Sequence, residues 1–310
     1  MARKRIRYIL RSFPKPFGGP LQIRLHVRAL TEAGYDAAIV TNSTDDDRFY
    51  DVAAPSVLNR DYAISADDVC VIPEGWRDHF LRFRDEPARK VCFCQNQFYL
   101  FRTFRDDEDF ASFGVDTVMC CSRQVANHVE RHHGVKDVAV VPCGIEVPPE
   151  APARKALAIS FMPRKAGLDA GFVRDLFRRR NPNMVRVPWV QIDGRPHADA
   201  MALMGRTAIF LSLSHREGFG LPPLEAMARR TLPVGFHGQG GLEYATPRNG
   251  TWIAEGDLPG CADALADAVR LVHAGAREVA DKLDEGRATA ARYRMDAMRE
   301  RLLAFWSERV

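Results

Sequence analysis

Twice along this chain, short apolar runs alternate with longer amphipathic stretches. That alternation is the pattern of strands linked by crossover helices, and it builds mostly parallel sheets in an α/β fold. Between the two series lies Pro148-Pro149-Glu150-Ala151-Pro152. Prolines at this density remove the backbone donors that a helix or a ladder needs, so the run reads as a linker. A length of 310 residues suits two domains. The expected bounds are 1–150 for the first domain, 151–285 for the second, and 286–310 for a C-terminal helix.

In the first series the expected strands are 6–10, 37–41, 68–72, 90–94, 117–122 and 138–141. A turn-rich loop at 12–20 holds Gly18-Gly19-Pro20, and a helix is expected over 21–33 with Ile23, Val27 and Leu30 on one stripe. Gly34 suits the left-handed residue that ends a helix. In the second series the expected strands are 156–161, 185–192, 208–213, 232–236 and 251–254. Helices are expected over 169–178, 199–204, 222–229, 262–273 and 279–306, the last with Gly286 as its candidate break.

Composition narrows the class. Hydrophobic residues are 46% and charged residues 27% of the chain, which excludes disordered and fibrous proteins. A net charge of +4 is too small to point to nucleic acid. No run approaches the roughly 18 apolar residues of a membrane span. The N-terminal apolar piece is broken by Arg7 and is short for a signal core, so the expected compartment is the cytoplasm. Lys4, Arg5, Arg7 and Arg11 raise peripheral contact with the inner membrane face as a second expectation, beside a solvated strand edge. The seven cysteines are unevenly spaced and sit in apolar runs, so they read as small core residues rather than disulfides or metal ligands. The acidic runs Asp45-Asp46-Asp47 and Asp106-Asp107-Glu108 read as solvated charge, as do His128, His132 and His133.

The chemistry concentrates in Ser214-His215-Arg216-Glu217-Gly218-Phe219-Gly220-Leu221-Pro222-Pro223-Leu224-Glu225. It follows an apolar strand and opens a helix. Prolines suit the first helical turn, where N–H groups have no partner. The glycines let a ligand approach the backbone, and the helix end favours an anion. Glu217 and Glu225 add two carboxylates, each able to accept two hydroxyl hydrogen bonds from a diol. Hydroxyls at both ends and phosphate between describe a nucleotide sugar.

This segment resembles the signature of retaining GT-B glycosyltransferases of family 4, the glycosyl transferases group 1. Pro163-Arg164-Lys165, Leu232-Pro233-Val234, Gly240-Gly241-Leu242-Glu243, Asn249-Gly250, Gly18-Gly19 and Val141-Pro142-Cys143-Gly144 extend the resemblance. It implies two Rossmann-like domains facing across a cleft, the first for the acceptor and the second for the nucleotide-diphosphate sugar. The final helix would cross back to the first domain. The resemblance gives Glu217 the donor-sugar hydroxyls and Glu225 the ribose. The backbone at Gly218, Phe219, Gly220 and Leu221 would contact sugar and phosphate, Arg164 and Lys165 would neutralise the diphosphate, and Gly19 would let the first domain close. His215, two residues before Glu217, is a candidate for lining the donor site.

The implied activity is transfer of a sugar to a sugar or lipid-linked acceptor, with retained configuration, no metal and no cofactor beyond the donor. Polysaccharide, glycolipid or another glycoconjugate would be the product. The chain departs from the family pattern at several points. Its basic pair is adjacent, Arg229-Arg230 replaces a small residue and glycine, Cys143 replaces Asn, and Gln95-Asn96-Gln97 stands where a first-domain His is common. These departures keep a second reading in view: a degenerate nucleotide-sugar or partner-binding protein. A nicotinamide dehydrogenase is disfavoured because no G-x-G-x-x-G follows the first strand.

Overall fold

The computed structural model describes residues 4–13, 15–45, 47–136, 138–149 and 155–310. Residues 150–152 of the expected linker and Asp46 lie outside them. The chain divides into two units: Met1–Gly144 with Met295–Val310, and Ile145–Arg294. The chain thus changes unit at 144/145 and again at 294/295, beside the expected positions 150/151 and 285/286.

The first unit runs β1 (Arg5–Leu10), α1 (Gly18–Glu32), β2 (Ala37–Thr41), β3 (Ser56–Leu58), β4 (Asp68–Pro73), α2 (Arg77–Phe83), β5 (Arg89–Cys94), α3 (Leu100–Thr103), β6 (Thr117–Cys120), α4 (Arg123–His133) and β7 (Ala139–Val140). Among the described residues its sheet has seven parallel strands in the order β3-β2-β1-β4-β5-β6-β7. The central strands are buried along nearly their whole length, as parallel strands covered on both faces must be. All seven cysteines are buried, and Cys92 and Cys94 have no exposed surface.

The second unit runs β8 (Ala156–Phe161), α5 (Gly167–Arg180), β9 (Trp189–Gln191), α6 (His197–Arg206), β10 (Thr207–Ser212), α7 (Leu221–Ala228), β11 (Leu232–Gly235), β12 (Thr251–Trp252), α8 (Leu258–His273) and α9 (Arg277–Ala291). Its described strands form a five-stranded parallel sheet, β12-β11-β10-β8-β9. Each unit is Rossmann-like, with crossover helices around a parallel sheet. A last helix, α10 (Met295–Ser307), belongs to the first unit and packs on α1.

Several expectations need correction. Helix α1 begins at Gly18, so Gly18 and Gly19 lie in its first turn rather than in a loop. Gly286 does not break the last helix. It lies inside α9, where a Cβ would come 3.2 Å from Met227 Cγ, so a small residue lets α9 lie close to α7. The break falls at 292–294. The strand expected over 185–192 is only Trp189–Gln191, because the chain turns at 185–187, where Val187 N–H donates to the Met184 carbonyl at 2.9 Å. Strand β3 and helix α2 lacked a strong enough apolar period to be read from sequence.

Charges expected to be solvated are partly buried. Arg77 grips Glu108 with both guanidinium nitrogens, and this pairing holds the Glu108 carboxyl down at about 2. His133 packs its ring against Phe104 and Phe110, and burial lowers its proton affinity. The basic N-terminal residues are tied to neighbours: Arg5 to Asp68 at 2.8 Å, Arg7 to Asp36 at 2.9 Å, and Arg11 to Asp78. Arg7 is only 5% exposed, so it is not a solvated strand edge. No helix of the described residues is long and apolar enough to cross a membrane.

Glu74 follows β4 and is buried, accepting a hydrogen bond from the Gln95 backbone N–H at 2.9 Å. Burial pushes its carboxyl up to about 7 from 4.5, and backbone donors only partly offset this. Between those two values the folded state binds more protons than the unfolded chain, so stability falls as pH rises through that window. Glu74→Gln should remove this component. Urea melts at pH 5 and pH 7.5 should show the variant gaining on wild type at the higher pH by up to about 3 kcal/mol. An equal difference at both pH values would mean the carboxylate is ionised throughout.

Candidate functional site

In the second sheet the chain passes from β8 outward to β9, then returns to the other side of β8 for β10, β11 and β12. The order reverses between β8 and β10, and in open parallel sheets ligands bind at the carboxyl ends of strands at such a reversal. Phe161 and Leu211 are paired at these ends. Beyond them the chain continues into the 3-10 turn Pro163–Lys165 and into the loop 213–220 that precedes α7. Topology thus places the basic pair and the glycine loop side by side.

The loop is fixed by backbone contacts. Glu217 N–H donates to Gly238 carbonyl at 2.8 Å. A Cβ on Gly240 would lie 2.5 Å from Gly218 C and 2.6 Å from Phe219 N, so only glycine permits this approach. Gly220 caps α7 in the left-handed region, φ 82°, and its carbonyl accepts a hydrogen bond from the Tyr244 hydroxyl. Pro222 and Pro223 follow, where a helix can dispense with N–H groups. The N–H groups of Phe219, Gly220 and Leu221 donate to no backbone carbonyl among the described residues. The Phe219 ring itself is buried against Tyr244 and Tyr293, with centroids at 5.7 and 5.2 Å. Phe219 therefore offers a ligand its backbone and not its ring.

A small cavity opens here, lined by Met162, Ser214, Glu217, Gly220, Pro222 and His237 among others. Lys165 Nζ stands 2.8 Å from Glu217 Oε1, joining the basic turn to the glycine loop. Arg164 is exposed on the same turn. Of the adjacent pair, Lys165 is thus the one held by Glu217. Lys165 and a helix N-terminus meet at one carboxylate, with Arg164 on the same turn as Lys165, an arrangement suited to a ligand carrying both phosphate and hydroxyls.

His215 turns toward other acids. Its Nδ1 is 3.0 Å from Glu255 Oε2 and its Nε2 is 3.6 Å from Asp169 Oδ2, while its ring rests on Phe236. Glu255 also accepts from Gly238 N–H at 2.8 Å, so it steadies both the His215 ring and the loop that packs on Glu217. Glu225 lies in the first turns of α7 and is 6% exposed. Its Oε1 is 2.9 Å from His197 Nε2. Burial opposes a charge on His197, but the bond and charge of Glu225 outweigh it and raise its proton affinity. Arg229 beside it is buried and pairs with Glu146 at 2.9 Å. The helix-ending arginine that departs from the family pattern therefore has a structural partner.

Arg164, Lys165, Glu217, Gly218, Phe219, Gly220 and Leu221 come together at the reversal point, with Glu225 one turn into α7. Gly19 belongs to the other unit, in the first turn of α1, where its Cα faces the Gln95 side chain. Sequence reading missed His197, Tyr244 and Glu255. Gly240-Gly241, already singled out, was the one pointer to Tyr244. Nothing in the local pattern marks His197 or Glu255, because their partners lie 28 and 40 residues away.

Residues 190–286 match the model of a family described as glycosyl transferases group 1. An alpha-1,6-glucosyltransferase of Actinobacillus pleuropneumoniae is 24% identical over 79% of this chain and 77% of that protein. Among solved structures, Anabaena HepE in complex with UDP superposes with a TM-score of 0.71 at 12% identity, covering 98% of this chain and 100% of that one. A structure of S. aureus TarM in complex with fondaparinux, alpha-GlcNAc-glycerol and UDP gives a TM-score of 0.60 at 14% identity over 78% of this chain. The chain spans 56% of that TarM chain. At such identities the structural likenesses establish the fold.

The backbone contact at Gly240 gives a direct test of the loop. Gly240→Ala should lower stability by roughly 2–3 kcal/mol through overpacking. Gly171→Ala should leave stability unchanged or raise it slightly, because nothing lies within 4 Å and the position is helical. Thermal melts of the two variants would check this. Equal melting temperatures for both would show that the loops separate freely.

Proposed function

We propose that the chain is a group 1 glycosyltransferase of the GT-B fold that moves a hexose from a nucleoside-diphosphate donor to a hydroxyl of a saccharide acceptor, retaining the anomeric configuration without a metal. The observation that carries this reading is the seating of Glu217 and Lys165 beside the N-terminus of α7, with Glu225 on the same helix. Leaving-group departure places negative charge on the diphosphate and positive charge on the sugar. Arg164, Lys165 and the backbone N–H groups near Leu221 would stabilise the former as it grows. Glu217 would hold the donor-sugar hydroxyls, and Glu225 the ribose. Polysaccharide or another glycoconjugate is the product class this reading favours. The family pattern of the 217–225 segment supports retention, with the departing phosphate assisting deprotonation of the acceptor on the same face. UDP in the HepE and TarM structures makes UDP-hexoses the first donors to try, and the glucosyltransferase relative makes glucose the first sugar.

Calorimetry with UDP, GDP, ADP and TDP names the nucleotide. Turnover with the matching sugar donor and a saccharide panel, followed by NMR of the product anomer and repeated in EDTA, tests reaction, retention and metal independence. The double variant Arg164→Ala, Lys165→Ala should lose on the order of a hundredfold or more in kcat, as should Glu217→Ala. Glu225→Ala should instead weaken nucleotide binding by about tenfold or more, the loss of at least one charged hydrogen bond. Wild-type turnover in the double variant would remove the diphosphate role. Tight nucleotide binding with neither transfer nor donor hydrolysis would favour the degenerate binding protein. Loss of activity in EDTA, restored by a divalent ion, would overturn metal independence.

A further inference from the structure

Glu225 is not an open carboxylate. Its side chain is 8% exposed, and His197, 28% exposed, stands over it with Nε2 2.9 Å from Oε1. His197 is the first residue of α6. Ala200, Met201 and Met204 of that helix share an apolar cluster with Phe210 of β10 and Ala226 of α7, the residue after Glu225. The two helices are therefore locked to the sheet by side chains within a turn of the pair, and the His–Glu geometry is set by packing rather than by two free side chains. A carboxylate offers about four lone-pair positions. A donor from Nε2 fills one on Oε1 and leaves Oε2 entire.

We propose that His197 is the positioning residue for the ribose-recognising carboxylate: its Nε2–H bond to Oε1 fixes Glu225 so that the remaining lone pairs accept the ribose hydroxyls. The proposal rests on the reading of Glu225 given above. The charged groups facing His197 are Glu225 and Arg229 from α7 and Glu146 from the segment that opens the unit. Burial lowers its proton affinity, the two carboxylates raise it, and Arg229 lowers it, with a net rise above 6.5. These neighbours thus favour the imidazolium. It would add positive charge where an anionic nucleotide binds. The neutral Nε2–H tautomer retains the bond and loses that charge, so nucleotide affinity should fall as pH rises through the His197 transition.

The test is calorimetric binding of UDP and 2′-deoxy-UDP, with the GDP and ADP pairs in parallel, from pH 6 to pH 9. Wild type should prefer the ribose form by about tenfold, the worth of one charged hydrogen bond. His197→Ala should cut that preference to about threefold or less. His197→Gln supplies an amide donor without a titrating charge. It should restore most of the preference and lack the pH slope left in wild type once the nucleotide's own phosphate titration, common to both, is subtracted. Full ribose preference in His197→Ala, or the same slope in His197→Gln as in wild type, overturns the proposal. Glu225→Ala separates the two levels. If it abolishes the preference while the His197 variants keep it, only the role of His197 falls. If it keeps the preference, or no diphosphate binds to folded wild type, the reading of Glu225 falls as well.

Discussion

Backbone meeting backbone between the 217–220 and 238–240 loops is the contact on which the rest of the site depends. The Glu217–Gly238 hydrogen bond sets the register, and the missing Cβ of Gly240 lets the two strands of chain touch. Three consequences follow from one close approach. The Glu217 side chain is delivered to Lys165. Gly220 is brought to the left-handed cap from which α7 departs. The helix in turn carries Glu225 to its place beside α6. A side chain at 240 would press on the backbone of residues 217–219, the segment that carries Glu217 and leads into α7.

The acids around the glycine loop and α7 stand against a counter-charge or donor. Lys165 faces Glu217, His197 faces Glu225, and His215 lies between Glu255 and Asp169. An arrangement of this kind gives carboxylates partners in a partly buried setting, where an unpaired charge is costly. It also limits the reorganisation that binding demands. On the proposed reading, a diphosphate arriving at Lys165 would exchange one anion for another, and hydroxyls arriving at Glu217 and Glu225 would find acceptors already oriented. Glu74 in the first unit shows the contrast: with backbone donors and no facing cation among the described residues, its carboxyl is driven up to about 7.

How much of this was legible varies by element. Strands β2 and β8 fall on the residues read from sequence, because both are short, mostly apolar runs bounded by polar or turn residues. Helix α1 was placed three residues late, since Gly18-Gly19-Pro20 reads as a turn by propensity while Pro20 is tolerated in a first helical turn. The long last span was read with its break at Gly286, where a helix propensity argument puts it. Packing decided otherwise, because a glycine inside α9 is what lets Met227 lie against it. The glycine loop, its two acids and the basic turn were all visible as a pattern of residue types.

Sequence by itself determined the α/β class, the two series of elements and the segment that carries the chemistry, because those depend on local periodicity and on residues close together in the chain. Only the tertiary structure decided which charges meet. Lys165 and Glu217 are 52 residues apart, His197 and Glu225 are 28 apart, and His215 and Glu255 are 40 apart. Such pairings are fixed by strand order and helix packing in three dimensions, and no local pattern of side chains records them.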